Sequence, residues 1–252
     1  MTPQPVVATD ELTKIYRHQV AVDHLTLAVN EGEIFGFLGP NGAGKTTTLL
    51  MLLGLTQPTS GQARILGIDP AREPIKVKAR VGYLQENMGF YSDLTARQML
   101  RFVADLNGIG RREAERRIDR ALAEVGLAED DGPPKKIAAF SRGMRQRLGI
   151  AELLIRDTRV AFLDEPTLGL DPDATQRISG LIQRLAREQR MTILLCSHQL
   201  HQVQKICNRV GIMIKGRMVA NGPIDQLARE KFGVDREEFT LEEIYMKYFL
   251  EG

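Results

Sequence analysis

Apolar and polar positions change period along this chain, and the changes divide it. Val6 to Asn30 alternates apolar with polar residues, the pattern of strands joined by a turn. Ile34-Phe35-Gly36-Phe37-Leu38 is a continuous apolar run of strand length, as expected of a strand covered on both faces. A helical pattern follows from Thr46 to Leu53 and stops near Gly54. Gln62 to Leu66 reads as a strand between the breaker Pro58-Thr59-Ser60-Gly61 and Gly67, and Val81-Gly82-Tyr83-Leu84 as another that ends at Gln85-Glu86. From about Asn87 strand patterns stop. Leu94 to Asn107 carries Leu94, Met99, Phe102, Val103 and Leu106 at helical spacing, and Arg111 to Val125 does the same with Ile118, Leu122 and Val125. Gly132-Pro133-Pro134 interrupts this region before a further helix that runs to about Arg156.

Strand-like runs return at Val160 to Leu163, Thr192 to Cys196, Val210 to Ile214 and Arg217 to Ala220, with helical patterns at Pro172 to Gln189 and Leu200 to Cys207 between the first three. Strands that alternate with helices predict an α/β fold with a mostly parallel sheet. The all-helical middle is then an insertion. The expected organisation is a core from 1–86 and 157–222, a helical subdomain at 87–156, and a tail at 223–252 with helices at Ile224 to Phe232 and Thr240 to Phe249. The last of these shows Leu241, Ile244, Tyr245 and Tyr248 on one face, which must pack on something.

Composition narrows the classes. The chain has 252 residues, 26% charged and 43% hydrophobic, with a formal charge of +2. That balance predicts no general affinity for nucleic acid. Arg111, Arg112, Arg116, Arg117 and Arg120 are interleaved with Glu113, Glu115 and Asp119, a solvated helix with local ion pairs. Its apolar runs, such as Ile193-Leu194-Leu195-Cys196, are too short to span a bilayer. Met1-Thr2-Pro3-Gln4-Pro5 lacks the basic and apolar regions of a signal peptide. The two cysteines, Cys196 and Cys207, form no C-x-x-C and read as packing residues in a reducing compartment.

One stretch carries chemistry by itself. Gly39-Pro40-Asn41-Gly42-Ala43-Gly44-Lys45-Thr46-Thr47 fits G-x-x-x-x-G-K-[ST] and stands between an apolar strand and the start of a helix. Backbone N–H groups and the positive end of a helix dipole would face a phosphate there, and glycines let the main chain come close. Lys45 would reach the terminal phosphates and the Thr46 hydroxyl would bind Mg²⁺. The pattern predicts that Gly39, Asn41, Gly42, Ala43, Gly44, Lys45, Thr46 and Thr47 line a nucleoside triphosphate site. A second constellation agrees with it. Val160-Ala161-Phe162-Leu163-Asp164-Glu165 delivers two carboxylates to the C-terminal end of a buried strand, the edge where a parallel sheet exposes its ligands. Asp164 suits Mg²⁺ held through water, and Glu165 suits polarisation of a water for in-line attack on a γ-phosphate.

With these motifs in place the chain resembles the nucleotide-binding subunits of ABC transporters, and the resemblance covers almost all of it. Seven motifs match in order: Tyr16, Gly39 to Thr47, Gln85, Ser141-Arg142-Gly143-Met144-Arg145-Gln146-Arg147, Asp164-Glu165, Gly169-Leu170-Asp171 and Ser197-His198. The resemblance implies a P-loop NTPase, RecA-like core with an N-terminal antiparallel β subdomain and an inserted helical one. It implies ATP and Mg²⁺ as the bound groups. Tyr16 would stack on adenine, Gln85 would sense the γ-phosphate and Mg²⁺, and His198 would hydrogen-bond the γ-phosphate. Ser141, Gly143 and Asp171 join the nucleotide site. His201, three residues beyond His198, lacks the further His or Cys needed for a metal centre.

The signature departs from the family's usual L-S-G-G-Q. Phe140-Ser141-Arg142-Gly143-Met144 keeps the serine and the second glycine, and its Arg142 and Met144 resemble the variant of ATPases that serve drug, sodium, antibiotic and polysaccharide exporters. The resemblance further implies a homodimer, or a pair with a paralogous ATPase subunit, that closes around two ATP molecules. It also implies a separate transmembrane permease subunit, no direct nucleic-acid partner, and a place on the cytoplasmic face of the cell membrane. Met88-Gly89-Phe90-Tyr91 reads as an exposed apolar loop that either caps the helical subdomain or forms a groove for the permease. Two other classes share the phosphate-binding motif. A soluble ABC-type ATPase acting on nucleic acid, ribosomes or cofactor assembly would carry two ATPase halves or an accessory region. A GTPase would pair Asp105-Leu106-Asn107-Gly108 with an N-K-x-D, and none occurs.

Overall fold

The computed structural model describes residues 5–128, 134–233 and 239–251. Met1 to Gln4 of the signal-peptide reading and Gly132-Pro133 of the breaker lie outside them. In chain order the elements are β1 (Val7–Tyr16), β2 (Gln19–Val29), β3 (Ile34–Leu38), α1 (Lys45–Leu52), β4 (Ser60–Ile65), α2 (Pro74–Lys78), β5 (Val81–Leu84), α3 (Ala96–Leu106), α4 (Arg111–Glu124), α5 (Arg142–Ile155), β6 (Val160–Asp164), α6 (Pro172–Gln189), β7 (Thr192–Cys196), α7 (Leu200–Ile206), β8 (Arg209–Ile214), β9 (Arg217–Pro223), α8 (Ile224–Phe232) and α9 (Leu241–Glu251).

Two sheets result. A three-stranded one has the order β2-β1-β4, and both its pairings are antiparallel. A six-stranded one has the order β5-β6-β7-β3-β8-β9, parallel except for β8 with β9. The apolar runs of β3, β6 and β7 are explained by burial on both faces. Val160, Phe162, Leu194, Phe35 and Phe37 pack against the antiparallel sheet and α1, whereas Ala161, Leu163, Ile193 and Leu195 pack against the helices on the other side. That second cluster continues into α3, α4 and α5 and out to α9, so apolar packing runs across the division expected at 86/87.

Local chemistry sets the helix ends. Thr95 and Gln98 form a reciprocal capping box at the start of α3. Asp171 caps α6 by accepting from the Ala174 N–H, with Pro172 at the first helical position. The short helix α2 went unread in the sequence; its five residues PIKVK show no periodicity, and Pro74 at its first turn marks where it begins. The loop after β5 needs a correction. Met88 and Phe90 are half-buried against the core, the Met88 sulfur standing over Gly149 of α5, and of the three large side chains Tyr91 alone is well exposed, edge-on to Phe102.

Candidate functional site

Strand order builds the site. Four neighbouring parallel strands, β5, β6, β7 and β3, end on one edge of the sheet. Along that edge the chain delivers Gln85, then Asp164 and Glu165, then Ser197 and His198, then the loop Gly39 to Lys45. Residues more than a hundred positions apart thereby become neighbours, at the place where open parallel sheets hold their ligands.

The glycine-rich loop is wedged between β8 and β2. A Cβ on Gly39 would run into the carbonyl oxygen of Met213, and one on Gly44 into that of Ala21. Both glycines also have positive φ, 152° and 105°. The Lys45 ammonium donates to the carbonyl of Gly39 at 2.6 Å and of Pro40 at 3.1 Å, so it folds over the loop it follows. Helix α1 has no side-chain cap and no acid in its first turn. Its first N–H groups lack the partner that a capped helix has, which fits an anion at that end. Thr46 is exposed, whereas the buried Thr48 hydroxyl donates to the Gly44 carbonyl.

The acids behave differently from each other. Burial pushes the Asp164 carboxyl above its ordinary value, the charges of Glu165 and Glu86 push it further, and Lys45 opposes them. The Tyr83 hydroxyl donates to Asp164 at 3.4 Å and is itself pushed up to about 12, first by burial and then by the Asp164 charge. A half-buried carboxylate beside two more acids fits the donor set of a hard cation such as Mg²⁺. Among the described residues no group of three or more His, Cys, Asp or Glu side chains could hold a metal ion, so phosphate and water oxygens would complete its shell. Glu165 has φ 49° and is nearly buried. Its carboxylate accepts from the Ser197 hydroxyl at 3.0 Å, the His198 backbone N–H at 2.9 Å and His198 Nδ1 at 2.7 Å. Nearby, the Thr167 hydroxyl bonds the side chains of Gln199, at 3.2 Å, and Gln202, stitching the loop after β6 to the one after β7.

Other expected residues sit further out. Tyr16 ends β1 on the exposed rim, with the Lys14 ammonium 4.9 Å above its ring. It lies near the loop because β2, its partner strand, carries Ala21 against Gly44. Gln85 is exposed at the end of β5. Ser141 caps α5, accepting from the Met144 N–H at 3.2 Å, and the Gly143 backbone comes so close to α6 that a Cβ would meet Ala174. Arg142 lies against Gly169 with its guanidinium 4.0 Å from Glu86, which ties the signature to the ends of two other motifs. Among the described residues no hydrogen bond joins Ser141 or Gly143 to the phosphate loop of their own chain. The contacts of Tyr83, Ser197 and Thr167 with the site were missed in the sequence. For Ser197 a signal existed: a hydroxyl directly after the four apolar strand residues Ile193 to Cys196 has to find a partner.

A parallel sheet whose edge gathers a glycine-rich loop, an uncapped helix and paired acids defines a P-loop nucleotide-binding protein. Comparison with known proteins takes this further. Residues 22–168 match the family model described as ABC transporter. The chain is 43% identical over 224 residues to the bacitracin transport ATP-binding protein BcrA of Bacillus licheniformis, covering 89% of this chain and 72% of that one. A solved ATP-binding subunit of an ABC transporter superposes with a TM-score of 0.84 at 30% identity, covering 97% of this chain and 99% of the other. CbiO1 from Clostridium perfringens, part of the ABC transporter complex cbiONQ, superposes at 0.83 with 25% identity, covering 99% of this chain and all of the other, 100%. The chain therefore belongs to the ABC transporter family, as an ATP-binding subunit and an ATPase coupled to transport.

Proposed function

We propose that two copies of this chain close around two Mg-ATP and so drive a separate membrane-spanning subunit of an exporter. The observation that carries this is the sheet edge on which Lys45, Asp164, Glu165 and His198 converge beside the uncapped start of α1. In this reading Lys45 binds the terminal phosphates, with the backbone of Gly39, Asn41, Gly42, Ala43, Gly44 and Thr47 around them. Thr46, Asp164 and Gln85 hold Mg²⁺, which when bound neutralises charge on the phosphate oxygens. Glu165 orients and polarises the attacking water, and His198, its Nδ1 given to Glu165, offers Nε2 to the γ-phosphate. Tyr16 stacks on the adenine. Ser141 and Gly143 reach the nucleotide of the other copy, and Asp171 sets the loop between them.

A ligand moves a protein only through differential affinity for two states, and a γ-phosphate bridging two copies has it until cleavage. Residues 87–156 would act as the lever between the nucleotide and the membrane subunit, and 223–252 would brace it. Exposed Tyr91, Phe102 and Leu106 offer that subunit an apolar footing. Among the described residues no helix is long and apolar enough to cross a membrane, in keeping with a place on the cytoplasmic face through the partner. Export is supported by Arg142 and Met144 in the signature and by the bacitracin transport of the relative. The test is Glu165→Gln with saturating Mg-ATP in size exclusion with light scattering. Hydrolysis is expected to fall at least about a hundredfold and a dimer to persist, since catalysis loses its base while binding is kept. A Glu165→Gln protein that stays monomeric sinks the proposal.

A further inference from the structure

We infer that Ser197 is a positioning residue for the Glu165 carboxylate, holding it in place independently of His198; the inference rests on the catalytic role proposed for Glu165. The hydrogen-bond directions around Ser197 admit one arrangement. A backbone amide can only donate, and Gln199 N–H reaches the Ser197 oxygen at 3.0 Å. An ionised carboxylate can only accept, and Glu165 Oε2 lies 3.0 Å from that oxygen. The hydroxyl therefore takes the amide proton and gives its own to Glu165, and its rotor is fixed from both sides.

Each carboxylate oxygen has its own holder. Oε2 belongs to Ser197, and Oε1 to the backbone and ring of His198. The two holders differ in freedom. The His198 side chain is 54% exposed, whereas Ser197 is 2% exposed. If the imidazole is drawn toward a phosphate, Ser197 on Oε2 and the His198 backbone N–H on Oε1 still keep Glu165 from swinging. The backbone already limits where Glu165 can point, because φ 49° is rare for a residue with a side chain. Ser197 fixes what freedom is left. A hydroxyl buried after four apolar strand residues is costly without a partner, and here the partner is the charged group at the centre of the site.

The experiment compares Ser197→Ala, Ser197→Thr and the Glu165→Gln control in steady-state Mg-ATP hydrolysis, with melting temperature measured for each. Ser197→Ala is expected to lower kcat about tenfold while KM for ATP changes less than about twofold, the signature of an interaction used in the chemical step. Tenfold corresponds to ~1.4 kcal/mol, in the range of one hydrogen bond to a charged group. Ser197→Thr keeps the hydroxyl and is expected to recover most of the rate. Should Ser197→Ala melt below the assay temperature, Ser197→Cys, with similar volume and a weaker donor, carries the same expectation of a lowered kcat. The inference is overturned if Glu165→Gln is inactive while Ser197→Ala, or Ser197→Cys in its stead, keeps a wild-type kcat. It is also overturned if the threonine variant, folded, is as slow as the alanine one, or if kcat falls only together with a rise in KM and a loss of melting temperature. Wild-type hydrolysis by Glu165→Gln would instead remove the catalytic role itself.

Discussion

Two helices of this chain point their N-termini at the functions proposed for it, and they end differently. At α1 no side chain caps the helix, two glycines hold the loop ahead of it, and Lys45 bends back over that loop. At α5 Ser141 accepts from the Met144 N–H and so closes its own helix end. In the proposed reading the α1 end is a complete anion seat, with acids, histidine and lysine supplied by the same chain on the same sheet edge. The α5 end has a hydroxyl whose proton meets no acceptor among the described residues. A helix end closed by its own serine is a weaker draw for a phosphate, and it gains one only when something brings the phosphate to it. The first helix end reads as a site that assembles within one chain, the second as part of a site that waits for another copy.

The largest effect is expected from Lys45→Ala, which strikes the self-contained end. Loss of the ammonium removes the charge proposed to face the terminal phosphates and the two bonds that tie the loop. Mg-ATP hydrolysis is expected to fall by about a thousandfold, the upper end of the range for deleting one preorganised donor aimed at developing charge. Retention of more than about a tenth of wild-type hydrolysis would break the comparison at its stronger side.

Ser141→Ala strikes the other end and is expected to cost about tenfold, one hydrogen bond to a charged group together with a cap. Here the dependence on concentration is the discriminating readout. If α5 serves a second copy, the deficit shrinks as protein concentration rises, because mass action restores the dimer. A deficit constant over a hundredfold dilution series places Ser141 in its own chain's site and ends the contrast between the two helices.

The two ends were unequally legible in the sequence. The phosphate loop, the strand before it and the acids after β6 were read to within a residue or two, because local periodicity and glycine spacing encode them. β5 and β7 fell where their apolar runs put them. The sheet order did not show. Nothing local in Val81 to Leu84 says that it lies beside Val160 to Leu163, and without that order Gln85 and Tyr83 cannot be placed next to Asp164. The grip of Ser197 and His198 on Glu165 spans more than thirty residues and depends on β6 pairing with β7. Met88 and Phe90 looked exposed for a related reason. Gly149, sixty residues on, opens the space that Met88 fills.

The smallest effect separates the bodies of the same two helices. The buried Thr48 of α1 is satisfied within its own helix, by the Gly44 carbonyl. In α5 the buried side-chain oxygens Gln146 Oε1 and Glu152 Oε1 have no hydrogen-bond partner among the described residues. Burial pushes the Glu152 carboxyl up to about 7 from an ordinary 4.5, against the pull of Arg156 one turn on, whose guanidinium is given to the carbonyls of Lys78 and Val81. The folded value lies above the unfolded one, so the unfolded chain releases this proton first. The contribution of Glu152 to stability is therefore fully present below pH 4.5, falls as pH rises toward 7, and is lost above it. Glu152→Gln cannot ionise and escapes that loss. Its melting temperature is expected to match the wild type near pH 4.5 and to exceed it at pH 8 by about 2–4 °C, roughly 1 kcal/mol for a chain of this size. Equal melting temperatures at both pH values would show that the α5 carboxyl is as well satisfied as the α1 hydroxyl, and the helices would then differ only at their ends.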